Sequence, residues 1–105
     1  MGYETRVVLA VDREHYEDIQ WGEHKEYLES TNIEEDRITY VFDWSKRTWA
    51  ALDYFVEKIA IKDEEGYIEP LTFGAISLGE DDTDIEHIGE PWEFGIYLSR
   101  DIEYR

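Results

Sequence analysis

The stretch that most constrains this chain is Thr5 to Val11, which reads Thr-Arg-Val-Val-Leu-Ala-Val. Side chains alternate between the two faces of a strand, so Val7, Leu9 and Val11 share one face and Val8 and Ala10 the other. Apolar residues on both faces mark an internal strand, buried above and below. Arg37 to Trp44 alternates more simply, with Ile38, Tyr40, Phe42 and Trp44 facing one way and Thr39, Val41 and Asp43 the other. That is the period of a strand with one face on a core. Ser45 then caps a helix running to about Ile61, in which Trp49, Leu52, Val56, Ile59 and Ala60, joined by Phe55, follow helical spacing. This helix is expected to pack on the sheet as scaffold.

The remaining segments carry weaker patterns. Asp12 suits a helix cap and Glu14, Glu17 and Asp18 a helix N-terminus, so 13–30 is expected to be helical, on a thin stripe of Tyr16, Ile19, Tyr27 and Leu28 interrupted at Gly22. Asp63-Glu64-Glu65-Gly66 reads as a turn. Pro70 to Tyr104 reads as two strands around an acidic loop, 79–91. In the first strand the apolar phase shifts from Leu71 and Phe73 to Ile76 and Leu78, which a β-bulge at Gly74 would accommodate. In the last, Trp92, Phe94, Ile96 and Leu98 point inward and Glu93, Tyr97, Asp101 and Glu103 outward. The expected fold is α+β: an antiparallel or mixed sheet of about four strands, with the helix at about 45–61 packed on a face. At 105 residues, 42% hydrophobic and 15% aromatic, residues 1–105 are expected to form a single compact acidic domain.

Charge carries the functional reading. Twenty-seven carboxylates face ten Lys and Arg, a net charge of −17. From Asp63 to Ser99 the chain holds Asp63, Glu64, Glu65, Glu69, Glu80, Asp81, Asp82, Asp84, Glu86, Glu90 and Glu93, and no Lys or Arg. A second block, Glu14 to Asp36, has nine acids against Lys25 alone and ends in Glu34-Glu35-Asp36. Segment 37–62 reverses the balance, with five basic and three acidic residues. Ordinary surfaces mix both signs. This one is expected to meet a basic partner, and to be repelled by nucleic acid and anionic membranes. Adaptation to high salt is a competing explanation, but eleven Ile against five Ala lack the small-residue bias expected there.

Alternate strand residues lie about 6.6 to 6.8 Å apart and helix positions one turn apart about 5.4 Å, comparable to the spacing of phosphates along a nucleic-acid strand. Carboxylates so placed can fill Lys and Arg sites that hold a phosphate backbone. Small acidic inhibitors of phages and mobile elements work by this logic, and the chain is similar to them in size and charge, with no motif matched. The expected function is therefore a non-enzymatic inhibitor of the DNA-mimic type, with phage or mobile-element counter-defence as its setting. Its target is a basic nucleic-acid-handling protein, held by the acids named in the first block together with Glu34, Glu35 and Asp36.

Two alternatives stand beside it. One is an immunity protein that neutralises a basic toxin or nuclease. The other is a small calcium- or ligand-binding domain using the 80–86 loop. Asp82-x-Asp84-x-Glu86 resembles part of a calcium loop, but Ile85 and His87 fall where glycine or an oxygen ligand is wanted. His15, His24 and His87 lack zinc spacing, and the absence of Cys removes thiolate sites and disulfides. No nucleophile elbow, phosphate loop or dinucleotide fingerprint occurs, so neither catalysis nor a cofactor is expected. Met1-Gly2-Tyr3-Glu4 lacks the pattern of a signal peptide and no segment reaches membrane-spanning length, so a cytoplasmic location is expected.

Overall fold

Seven strands and one main helix are seen in a computed structural model that describes residues 5–16, 19–44, 48–67, 72–79, 85–98 and 102–104. The strands are β1 (Thr5–Asp12), β2 (Leu28–Ile33), β3 (Arg37–Phe42), β4 (Phe73–Gly79), β5 (Ile85–Gly89), β6 (Ile96–Leu98) and β7 (Ile102–Tyr104). The first five form one sheet in the order β2-β3-β1-β4-β5, and each adjacent pair is antiparallel. β1 is thus the central strand, flanked by two hairpins, as its two-faced burial requires. β6 and β7 pair separately as a two-stranded hairpin. The fold is α+β, a five-stranded sheet with one main helix packed against it.

Each face of the sheet has its own core. On one, Val7, Leu9 and Val11 meet Ile38, Tyr40 and Phe42 of β3 and Phe73 and Ala75 of β4. Helix α1 (Thr48–Tyr54) covers them with Ala51 and Leu52, and the chain continues in a π-helical turn, Phe55–Ile59, that begins with Phe55. Ala60 N donates to Phe55 O at 2.7 Å, the wider bond that defines this turn. Phe55 is fully buried, with ring centroids 5.5 Å from Tyr16 and 4.8 Å from Phe73. On the other face, Val8, Ala10, Val41 and Ile76 are covered by Phe94, Ile96 and Ile102.

The second cover accounts for several departures from the sequence reading. β3 buries both faces, because Thr39 and Val41 lie under the β6–β7 layer. β4 pairs with β1 in unbroken register from Thr5↔Gly79 to Val11↔Phe73, so there is no bulge at Gly74. The change of apolar phase reflects two buried faces rather than one bent one. Gly74 instead makes room: a Cβ there would lie 2.4 Å from Pro91 Cα, so the 3-10 turn Pro91–Phe94 could not sit on the sheet. That turn replaces the expected start of the last strand, leaving Phe94 buried and Trp92 exposed.

Three further expectations are corrected. Segment 13–30 is not one helix: a turn at 13–15 is followed by a 3-10 segment, Gly22–Tyr27, and then by β2. The acidic stretch 79–91 is not all loop, since Ile85–Gly89 pairs with β4. Trp44 and Trp49, read as core, are exposed, β3 having ended at Phe42 and Trp49 falling outside the helix face that carries Leu52 and Phe55. The proposed cap Ser45 lies outside the described residues. Among those described, Thr48 is buried and its hydroxyl donates to Asp43 O at 2.7 Å.

Candidate functional site

Strand register decides which acids meet. Asp12↔Arg37, Val11↔Phe73 and Gly74↔Gly89 place the end of β1, the starts of β3 and β4 and the end of β5 at one end of the sheet. Glu34-Glu35-Asp36 forms the turn between β2 and β3 at that end, closed by Glu34 N donating to Arg37 O at 2.8 Å. The chain beyond the helix is drawn to the same end by Tyr16. Its backbone N donates to Asp12 O at 3.0 Å, and its hydroxyl accepts from Ile61 N at 2.7 Å and meets Thr72 Oγ1 at 3.2 Å. Asp63-Glu64-Glu65 follows directly. Glu90 and Glu93 arrive on the 3-10 turn after β5, fixed by Glu90 N donating to Phe73 O at 3.1 Å. Four segments far apart in sequence therefore build one acidic end.

The basic residues at this end bond within the molecule, one of them to a carboxylate. Arg13 donates to Glu34 O at 3.0 Å from its guanidinium, and from its backbone to Asp36 O at 3.0 Å. Arg37 donates from Nε to Glu34 Oε2 at 3.0 Å and from its guanidinium to Phe94 O, tying the hairpin turn to the 3-10 turn. Lys62 Nζ donates to Glu57 O at 3.0 Å. His15 Nδ1 lies 2.8 Å from Asp12 Oδ2. Of the acids, Glu34 is thus paired, and Asp63 Oδ1 accepts from Glu65 N and Tyr67 N at 2.9 Å each to hold its own turn. Glu35, Asp36, Glu64, Glu65 and Glu93 are exposed, and their side chains make no ion pair among the described residues. A recess of about 420 Å³ is lined by Asp12, Arg13, Glu14, Glu35 and Asp36.

Large apolar side chains stand among these charges. Trp92 is 62% exposed beside Glu93, Tyr67 is 68% exposed at the Asp63 turn, and Ile33 is 62% exposed where β2 enters the 34–36 turn. Trp92 projects from a fixed base. Pro91 packs on Gly74, Arg37 holds Phe94 O, and Gly95, at φ 75°, closes the turn with N–H bonded to Trp92 O at 3.3 Å.

Of the acids singled out in the sequence, Asp63, Glu64, Glu65, Glu34, Glu35, Asp36, Glu90 and Glu93 come together at this end. Glu86 does not: it is exposed within β5, opposite Ser77. Glu69, Glu80, Asp81, Asp82 and Asp84 lie outside the described residues. Gly79 and Ile85, which flank 80–84, sit at the opposite end of the sheet, where Gly79 pairs with Thr5 and Ile85 with Leu78. The sequence reading missed Asp12 and Glu14, which join Glu35 and Asp36 across the recess. Their signal was the Asp12↔Arg37 register, hidden while 13–30 was read as a helix. Among the described residues no group of three or more His, Asp or Glu can hold a metal ion, and no helix is long and apolar enough to cross a membrane. No known protein family, curated protein or solved structure matches the chain.

Proposed function

We propose that the chain is a non-enzymatic inhibitor that docks this acidic end into the cationic groove of a nucleic-acid-handling protein, its carboxylates taking the places of backbone phosphates. One observation carries the reading: acids from four segments converge while the nearby Arg and Lys side chains are turned onto main-chain carbonyls or a single carboxylate. Bonds to carbonyls leave Arg13 and Lys62 charged, but the carboxylates at this end outnumber Arg13, Arg37 and Lys62, so the outward field is negative. Carboxylates held by strand ends and tight turns lose little entropy on binding, which favours affinity as well as encounter rate. Trp92, exposed on a rigid turn, supplies the kind of aromatic anchor that concentrates binding energy within a charged rim. Use as a counter-defence or replication-blocking factor of a phage or mobile element fits this mode.

The test is capture of binding partners at 0.15 M salt on immobilised protein, followed by elution with duplex DNA in one arm and about half-molar salt in the other, where screening shortens to roughly half its physiological range. The reading predicts basic nucleic-acid-binding partners released by both. A partner retained in high salt and indifferent to duplex would overturn it, since such a partner is not held through its phosphate site.

A further inference from the structure

β2 is an edge strand, and its open side borders a groove. Helix α1 packs over β1, and Phe55 beyond it meets Phe73 of β4, but the flank of β2 is left to the segment 19–25, and between them lies a cavity of about 470 Å³. Its apolar lining includes Ile19, Trp21, Leu28, Ile33 and Tyr40. The hydrogen-bonding phase of the edge follows from the hairpin. Glu34 N bonds Arg37 O, so residues opposite one another alternate from there between bonded and unbonded pairs. Thr31↔Tyr40 and Ile33↔Ile38 are then the unbonded pairs, and the N–H and C=O groups of Thr31 and Ile33 point away from the sheet. Both residues are exposed and line the groove, and no main-chain bond from outside the sheet reaches either among the described residues.

Edge strands are commonly guarded by charge, proline or brevity. β5 carries Glu86 and His87; β2 carries Glu29, paired with Arg6 at 3.3 Å, and the rest of it, Ser30-Thr31-Asn32-Ile33, is uncharged in a chain that is 35% charged. We infer that the Thr31–Ile33 edge and its groove accept an extended peptide strand from a partner, alternating apolar residues in the groove with Lys or Arg on the outside. The groove supplies the apolar half of that pattern. Charge supplies the other: the chain carries −17 and exposed Glu35 lies just past the strand end, while among the described residues Lys25 is the one charged member of the groove's lining and Glu23 and Glu26 face a neighbouring recess with Tyr27 and Ala50. The same charge disfavours a second copy of a chain at −17. Main-chain pairing is blocked by N-methylation of the peptide whereas attraction by charge is not, so this contact stands or falls apart from docking at the acidic end.

The probe is an eight-residue peptide of alternating Val and Lys, with a partner of identical sequence N-methylated at alternate residues so that it cannot pair. Amide hydrogen exchange and NMR shifts on the whole protein are read against each. The inference expects slowed exchange at Thr31 and Ile33 with the first peptide, and affinity lower by at least about tenfold for the second, the loss of one or two main-chain bonds. Thr31→Pro removes an outward N–H without breaking the β2–β3 ladder and should abolish the protection; the N-methylated peptide gives the same answer should this variant fail to fold. Equal binding of both peptides would show charge alone at work and overturn the inference, as would no binding. A dimer in sedimentation of the free protein with Thr31 and Ile33 already protected would assign the edge to a second copy instead.

Discussion

At the scale of single residues, two small features hold the acidic end in shape. The Tyr16 hydroxyl accepts from Ile61 N and meets Thr72, joining the chain after the helix to the start of β4. Tyr16→Phe keeps the buried ring and leaves the Ile61 N–H without this partner, a loss of about 1–3 kcal/mol. Chemical denaturation should show a lower midpoint at unchanged slope, whereas an unchanged midpoint would mean that water serves Ile61 as well. Gly74 is tighter still, since the added methyl of Gly74→Ala would meet backbone atoms of Pro91 at 2.4 and 2.5 Å. Backbone cannot rotate aside as a side chain can. Overpacking of this kind costs about 1–3 kcal/mol and should also loosen Trp92, visible as a change in its fluorescence. Trp92→Ala removes an exposed side chain, so stability should hold while affinity for a basic partner falls by about tenfold or more, as for an anchor residue.

Among the elements, the β6–β7 hairpin does more than its six residues suggest. Ile96 and Ile102 are buried against Val8, Val41 and Ile76, so it is a principal cover of the second face of the sheet. A chain ending at Gly95 should lose its cooperative thermal transition and bind a hydrophobic dye; a sharp transition near that of the full chain would show the second core to be dispensable. The same hairpin explains what the sequence made legible. β1, β3 and α1 could be read because burial imposes a period on their apolar residues. β2 could not, because an exposed edge strand has no such demand: Leu-Glu-Ser-Thr-Asn-Ile shows no alternation, and the acids before it favoured a helix. β5 was masked by its own Glu and His and by the acids preceding it. Trp92 and Phe94 imitate a strand, yet Pro91 and Gly95 bracket a single 3-10 turn that buries one and exposes the other.

For the molecule as a whole, a charge of −17 says that something basic is favoured but not where it would bind. The run from Asp63 to Ser99 made 80–84 look like the centre of the site. Register, with the Tyr16 bonds that draw in the chain after the helix, moved the weight to the other end of the sheet, where 12–14, 34–36, 63–65 and 90–93 lie, an arrangement that no linear count of charges can reveal. The two sets of acids can be tested directly. One variant neutralises Glu35, Asp36, Glu64 and Glu93; the other neutralises Glu80, Asp81, Asp82 and Asp84, each with Asn or Gln. Both remove the same net charge, so general attraction changes equally. The decisive measurement is the association rate of each with a captured basic partner at 0.15 M salt. Docking through the acidic end predicts a rate markedly slower for the first variant than for the second, with dissociation of the first also faster. Equal losses, or a larger loss from the 80–84 variant, would contradict it.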